Sequence, residues 1–70
     1  MSRQLVSSSN IRAIDYDAST STLTVEFHGG RVYQYSGVPE SVYRGLMSAA
    51  SHGSYFSDYI KDRYSTARIR

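Results

Sequence analysis

The sequence predicts an α+β fold: a small three-stranded antiparallel sheet packed by one main helix and a short C-terminal helix. Three observations carry that prediction. Residues 22–28 alternate cleanly, with Leu23, Val25 and Phe27 on one side and Thr22, Thr24, Glu26 and His28 on the other. Gly29-Gly30 then breaks the pattern, and Tyr33-x-Tyr35 follows in a return strand, residues 31–36. Beyond Pro39, the residues Val42, Tyr43, Leu46, Met47, Ala49 and Ala50 recur at helical spacing.

Each element has a local reason. Residues 1–9 are polar apart from Leu5 and Val6 and are expected to be a loosely ordered arm, with Ser7-Ser8-Ser9 unpatterned and Val6 anchoring an edge. Residues 11–16 are β-compatible; plain alternation puts Ile11 and Ala13 on one face and Arg12, Ile14 and Tyr16 on the other. Residues 17–21, Asp-Ala-Ser-Thr-Ser, are turn chemistry.

Loop parity decides the next hairpin. A two-residue Gly29-Gly30 loop sets Phe27 against Val32 and sends Tyr33 and Tyr35 to the polar face. A three-residue loop, His28-Gly29-Gly30 with a glycine bulge, sets Val25 against Tyr33 and Leu23 against Tyr35. The second register gathers Leu23, Val25, Phe27, Tyr33 and Tyr35 on one face, and burial of that face favours it.

Pro39 suits the first helical position and Glu40 the dipole of the first turn. The main helix is expected over residues 39–50, with Gly53 as the residue after its end. Gly45 inside it costs about 1 kcal/mol relative to alanine, which a close contact with the sheet would explain. Ser54 is the expected cap of a short helix over residues 54–62, where Phe56, Tyr59, Ile60 and Tyr64 share helical spacing. Residues 65–70 read as a basic tail in which Ala67 and Ile69, after Tyr64, form an edge strand or a frayed end. The expected core is Ile11, Leu23, Val25, Phe27, Val42, Leu46, Ala50, Phe56 and Ile60.

Length and composition set bounds. Seventy residues make one domain close to the lower size limit for a single core. With no cysteine there is neither a disulfide nor a thiolate–metal site to add stability. No apolar run approaches the roughly 20 residues of a membrane span, and the N-terminus has no signal-peptide pattern. The expectation is a bacterial or viral cytoplasmic protein without membrane contact. The formal charge is +2 and the pI about 9.2, which permits an anionic partner. Lys61, Arg63, Arg68 and Arg70 crowd the last ten residues against Asp62 alone.

The order of short motifs is informative. Ser8-x-Asn10-Ile11, Tyr16-Asp17, Leu23-x-Val25-x-Phe27, Gly30, Tyr33-x-Tyr35, Val38-Pro39, Tyr43, Ala50-Ser51-x-Gly53, Tyr55-Phe56 and the Ile60 to Tyr64 stretch follow one another. In this the chain resembles the KTSC domain, named for the C-terminal domain of some lysyl-tRNA synthetases and found also as free-standing small bacterial and viral proteins. The resemblance covers about residues 6–64, with a KTSC-like domain placed at 10–64. Asp15 departs from it, since glycine is expected before Tyr-Asp. The resemblance implies an RNA-binding role through attachment to a tRNA-charging enzyme, although a shared fold does not fix function.

Seven tyrosines against two phenylalanines and no tryptophan make a second observation. A core has little reason to prefer the hydroxyl so strongly; a recognition surface does. Aromatic faces stack bases and cations neutralise phosphates. The candidate nucleic-acid or nucleotide-binding residues are Arg31, Tyr33, Tyr35, Arg44, Ser51, His52, Ser54, Tyr55, Lys61, Arg63 and Tyr64. Each has a plainer role available: tyrosines as half-buried packing residues, arginines as solubilising charges, Ser51 to Ser54 as helix caps. The Ser51–Ser54 loop also has the hydroxyls and backbone N–H groups to hold a phosphate, with Arg44 or Lys61 beside it.

Catalysis is not expected. The two histidines, His28 and His52, have no cysteine partner, and the adjacent Ser51-His52 pair does not align as nucleophile and base. Asp15-x-Asp17 is an ordinary charged strand end rather than a metal site, and no cofactor is expected. Three functions remain open: RNA or single-stranded nucleic-acid binding without catalysis, binding or sequestration of small nucleotides including cyclic ones by an oligomer, and protein interaction or homo-oligomerisation. Affinity that falls steeply with salt marks the first.

Overall fold

The computed structural model describes residues 3–6 and 10–70. Seven elements follow in order: β1 (Arg3–Leu5), β2 (Ile11–Asp17), β3 (Thr22–Phe27), β4 (Val32–Ser36), α1 (Glu40–Ser48), α2 (His52–Tyr59) and β5 (Ser65–Arg68). The strands form one antiparallel sheet in the order β1-β2-β3-β4-β5. The predicted α+β class holds, with five strands in place of three. The extra two are the edges: β1 lies in the stretch read as a loose arm, and β5 is the edge-strand alternative for the tail. The loose order expected of residues 1–2 and 7–9 falls outside the described residues.

The central hairpin has the three-residue loop. Leu23 pairs with Tyr35 and Val25 with Tyr33. The Phe27 N–H donates to the Arg31 carbonyl at 2.8 Å, closing His28-Gly29-Gly30. Gly29 and Gly30 have φ of +100° and +91°, which side-chain-bearing residues rarely adopt. Leu23 and Val25 are therefore fully buried, Tyr35 nearly so, and Phe27 and Tyr33 half-buried.

Strand β2 departs from plain alternation. Its register shifts between Ile11 and Ala13, so Ile11 pairs with Phe27 while Ile14 pairs with Val25. This bulge turns Ile11, Ile14 and Tyr16 to the same face and sends Ala13 to the opposite one, correcting the expected grouping of Ile11 with Ala13. Asp15 occupies regular strand backbone between Arg3 and Thr24, so the acid needs no glycine-like conformation. At the following turn the Asp17 carboxylate accepts from the Ser19 hydroxyl at 2.6 Å and the Ser19 N–H at 3.0 Å. The hydroxyl bond leads in holding the Asp17 carboxyl below its usual pKa.

Both helices cover one sheet face. Leu46 from α1, Phe56 from α2 and Ile60 just beyond it join Ile11, Ile14, Leu23, Val25, Tyr35 and Val38 in the core. Tyr16 ties the sheet to the α1 entrance: its ring stacks on Tyr43 at 4.7 Å, and its hydroxyl donates to the Val38 carbonyl at 2.6 Å. Tyr16→Phe is expected to cost about 1 kcal/mol, read as a lower urea midpoint with an unchanged m-value.

Helix ends differ from expectation. Pro39 is the N-cap rather than the first helical residue, and α1 stops at Ser48 instead of residue 50. The Leu46 carbonyl accepts from Ala49 N–H at 3.4 Å and from His52 Nδ1 at 2.8 Å, so a returning side chain helps to finish the helix. Ala50 consequently lies exposed, not in the core. The cap of α2 is Ser51, whose Oγ accepts from Ser54 N–H at 3.2 Å; Gly53 and Ser54 lie inside its first turn. Gly45 meets Tyr55 of α2 rather than the sheet: a Cβ there would fall on the Tyr55 hydroxyl and within 2.7 Å of its Cζ.

Candidate functional site

The hairpin register, α2 and the segment leading into β5 together enclose a cleft of about 610 Å³. Its floor is aromatic because loop parity turns Phe27, Tyr33 and Tyr35 inward, where Phe56 of α2 meets them. Phe56 stands edge-on to Phe27 at 5.5 Å and to Tyr35 at 5.4 Å, and Phe27 edge-on to Tyr33 at 5.8 Å. Such edge-to-face packing fixes the rings relative to one another. Residues Gly53, Phe56, Ser57 and Lys61 reach the cleft at helical spacing along α2 and its extension.

The rim is polar. His28 and Arg31 come from the hairpin loop, Lys61 and Asp62 from the turn after α2, and Asn10 and Thr66 from β2's approach and β5. The Arg31 guanidinium sits 5.9 Å from the centre of the Phe27 ring. Among the described residues neither Arg31 nor Lys61 is in an ion pair. Both cations are thus available to an anion held over the aromatic floor.

Burial, with smaller contributions from Tyr33 and the charge of Asp62, pushes the Tyr35 hydroxyl up to a pKa of about 12. The neutral form is favoured in the folded chain, so the stability it contributes is complete below pH 10. It is lost as pH rises from 10 towards 12, where the unfolded tyrosine ionises first. Tyr35→Phe is expected to flatten that alkaline decline relative to the parent, measured by urea titrations between pH 9 and pH 11.5.

Of the residues singled out in the sequence, Arg31, Tyr33, Tyr35 and Lys61 meet in this cleft. The remainder do not line it. Arg44 is held by Glu40 at 2.8 Å on the exposed side of α1. Ser51 and Ser54 are engaged in capping, and His52 in finishing α1. Tyr55 packs on Gly45 and on Tyr59 at 4.6 Å. Arg63 Nε donates to the Asp58 carbonyl at 3.1 Å, and Tyr64 packs against the core.

Sequence reasoning took Phe27 and Phe56 as core alone and passed over Asn10, His28, Ser57, Asp62 and Thr66 in the binding set. The four-residue steps from Gly53 to Ser57 to Lys61 were the available signal for Ser57. Among the described residues no three His, Cys, Asp or Glu side chains converge as a metal site. Among them, too, no helix is long and apolar enough to cross a membrane.

Comparison with known proteins adds identity to this geometry. The KTSC domain model matches residues 7–64. A lysine–tRNA ligase of Nostoc punctiforme is 43% identical over 59 residues, covering 84% of this chain and 10% of the ligase. The chain therefore spans about a tenth of the length of the lysine–tRNA ligases it matches. A protein of Stutzerimonas stutzeri is 36% identical over 64 residues, covering 91% of this chain and 90% of its own. The crystal structure of a KTSC domain protein from Yersinia pestis superposes with a TM-score of 0.93 at 41% identity, over 99% of this chain and 97% of that one. Motif order, sheet topology and these matches agree, and the chain belongs to the KTSC domain family.

Proposed function

We propose that the chain is a noncatalytic binding module for RNA or other single-stranded nucleic acid, which takes one nucleotide unit into the cleft between the central hairpin and α2. One observation carries the reading: two cations, Arg31 and Lys61, neither of them in an ion pair among the described residues, flank a floor of four aromatic rings. Phosphates are neutralised by such cations, and an unstacked base is received by aromatic side chains irrespective of sequence. Tyr33 is half-buried and Tyr35 almost closed off, so the arrangement favours one inserted base over a row stacked on an open platform. The occurrence of related segments in proteins named lysine–tRNA ligase is in keeping with an RNA partner.

The test is fluorescence anisotropy of short labelled single-stranded RNAs across a salt series. Binding that weakens linearly in log–log form as salt rises supports the reading. No anisotropy change at low salt contradicts it.

The cleft's size favours one variant of this reading, in which the physiological ligand is a free nucleotide. Its volume of about 610 Å³ lies within the range of small-molecule sites. A thermal-shift panel of mono-, di- and cyclic nucleotides separates the two: stabilisation by a free nucleotide at concentrations where oligonucleotides give none marks the small ligand.

A further inference from the structure

We infer that the cleft selects guanine, with the Asp62 carboxylate reading the Watson–Crick edge of the base. This rests on the nucleotide-binding reading and adds the identity of the base. Asp62 lines the cleft beside Lys61 and is exposed to an incoming ligand. Its φ of +64° lies in the left-handed region, which aspartate tolerates better than most residues but glycine occupies at no steric cost. The turn thus carries an acid where the backbone alone would be served best by glycine.

Among the described residues, the carboxylate accepts no hydrogen bond and joins no ion pair, although Lys61 precedes it and Arg31 shares the cleft. Asp62 lines the same cleft as Phe27, Tyr33, Tyr35 and Phe56, the rings of the aromatic floor.

An ionised carboxylate offers two acceptor oxygens and no donor. Guanine presents two adjacent donors on its Watson–Crick edge, N1–H and the N2 amino group, and meets a carboxylate with two parallel hydrogen bonds. Adenine and cytosine each set a donor beside an acceptor, and uracil sets its single donor between two carbonyls. Against Asp62 those bases oppose lone pair to lone pair. The rings of Phe27, Tyr33 and Phe56 accept the base through its apolar faces, and Arg31 and Lys61 take the phosphate.

The test titrates the 70-residue chain with GMP, IMP, AMP, CMP and UMP at one low salt concentration, by calorimetry. GMP is expected to bind roughly tenfold or more tightly than AMP, CMP or UMP. IMP, which keeps N1–H and lacks the amino group, is expected to fall between. In Asp62→Asn, which suits the same left-handed turn, the GMP-to-AMP ratio is expected to collapse to within about twofold, with an unchanged circular dichroism melt confirming the fold. Equal affinities for all five nucleotides, a preference for AMP, CMP or UMP, or a ratio that survives in Asp62→Asn overturns the guanine assignment and leaves nucleotide binding intact. Binding of none of the five overturns the assignment as well, and the RNA salt series then decides whether the broader reading stands.

Discussion

Replacing Arg31 and Lys61 together by glutamine is expected to reduce RNA affinity at low salt by at least about tenfold per cation lost, since in the proposed binding mode each would make a charge-assisted contact to phosphate. The same double substitution is expected to flatten the slope of log affinity against log salt by about 1 to 2 units. The fold should persist, because both side chains are exposed, neither is in an ion pair among the described residues, and the exposed Arg31 contact with the Phe27 ring is worth only about 0.5–1 kcal/mol. Arg44→Gln provides the contrast: that arginine is bound to Glu40 and lies outside the cleft, so its loss should leave both affinity and slope nearly unchanged. A double variant that binds as the parent does, or an Arg44→Gln variant that loses as much, would place the phosphate elsewhere. Anisotropy with the same labelled RNA reads all three.

Phe56→Ala is expected to unfold about half of the population or more. Phe56 is buried and makes the edge-on contacts that join α2 to Phe27 and Tyr35. Truncating a buried phenylalanine costs about 3–5 kcal/mol, and a single core of this size rarely supplies more than about 3–5 kcal/mol in total. With no disulfide to hold the remainder together, the two quantities nearly cancel. Phe56→Leu keeps most of the volume and loses the ring contacts, at an expected cost of about 0.5–1.5 kcal/mol. It should fold and bind RNA more weakly, because the floor of the cleft loses a ring. Far-ultraviolet circular dichroism during thermal melting distinguishes the two variants; a Phe56→Ala protein that melts like the parent would show that α2 is held mainly by other contacts.

The double role of Phe56 explains what could be read from the chain and what could not. The hairpin was legible because a strand with one buried face admits a single register, and only the three-residue loop put Leu23, Val25, Phe27, Tyr33 and Tyr35 together. Strand β2 was legible as a strand but not in its faces, since one inserted residue between Ile11 and Ala13 reverses the parity without any local marker. Strand β5 has four exposed residues and so no buried face to separate an edge strand from a frayed end in the sequence; its pairing with β4 makes it the edge strand. The end of α1 was not local information either, because His52 returns across six residues to the Leu46 carbonyl.

The site shows the same division. Arg31, Tyr33 and Tyr35 were legible as a group because they share one strand and its approach, and Lys61 because it stood in a basic run. Phe27 and Phe56 were assigned to the core, which is correct as far as it goes. A ring can pack on one side and line a cleft on the other, and periodicity reports only that it faces inward. Asp62 was hidden by the cations beside it in sequence, and its left-handed backbone is not encoded by any neighbouring glycine.

The central claim, that one cleft beside the central hairpin receives a nucleotide unit, is tested most directly by nuclear magnetic resonance of the nitrogen-15-labelled chain titrated with a short single-stranded RNA at low salt. The account predicts that amide shifts move at Phe27 to Tyr33 and at Phe56 to Asp62, while the exposed face of α1 around Arg44 stays fixed. Shifts centred on α1, or on the sheet face opposite the helices, would contradict it, as would a spectrum that RNA leaves unchanged.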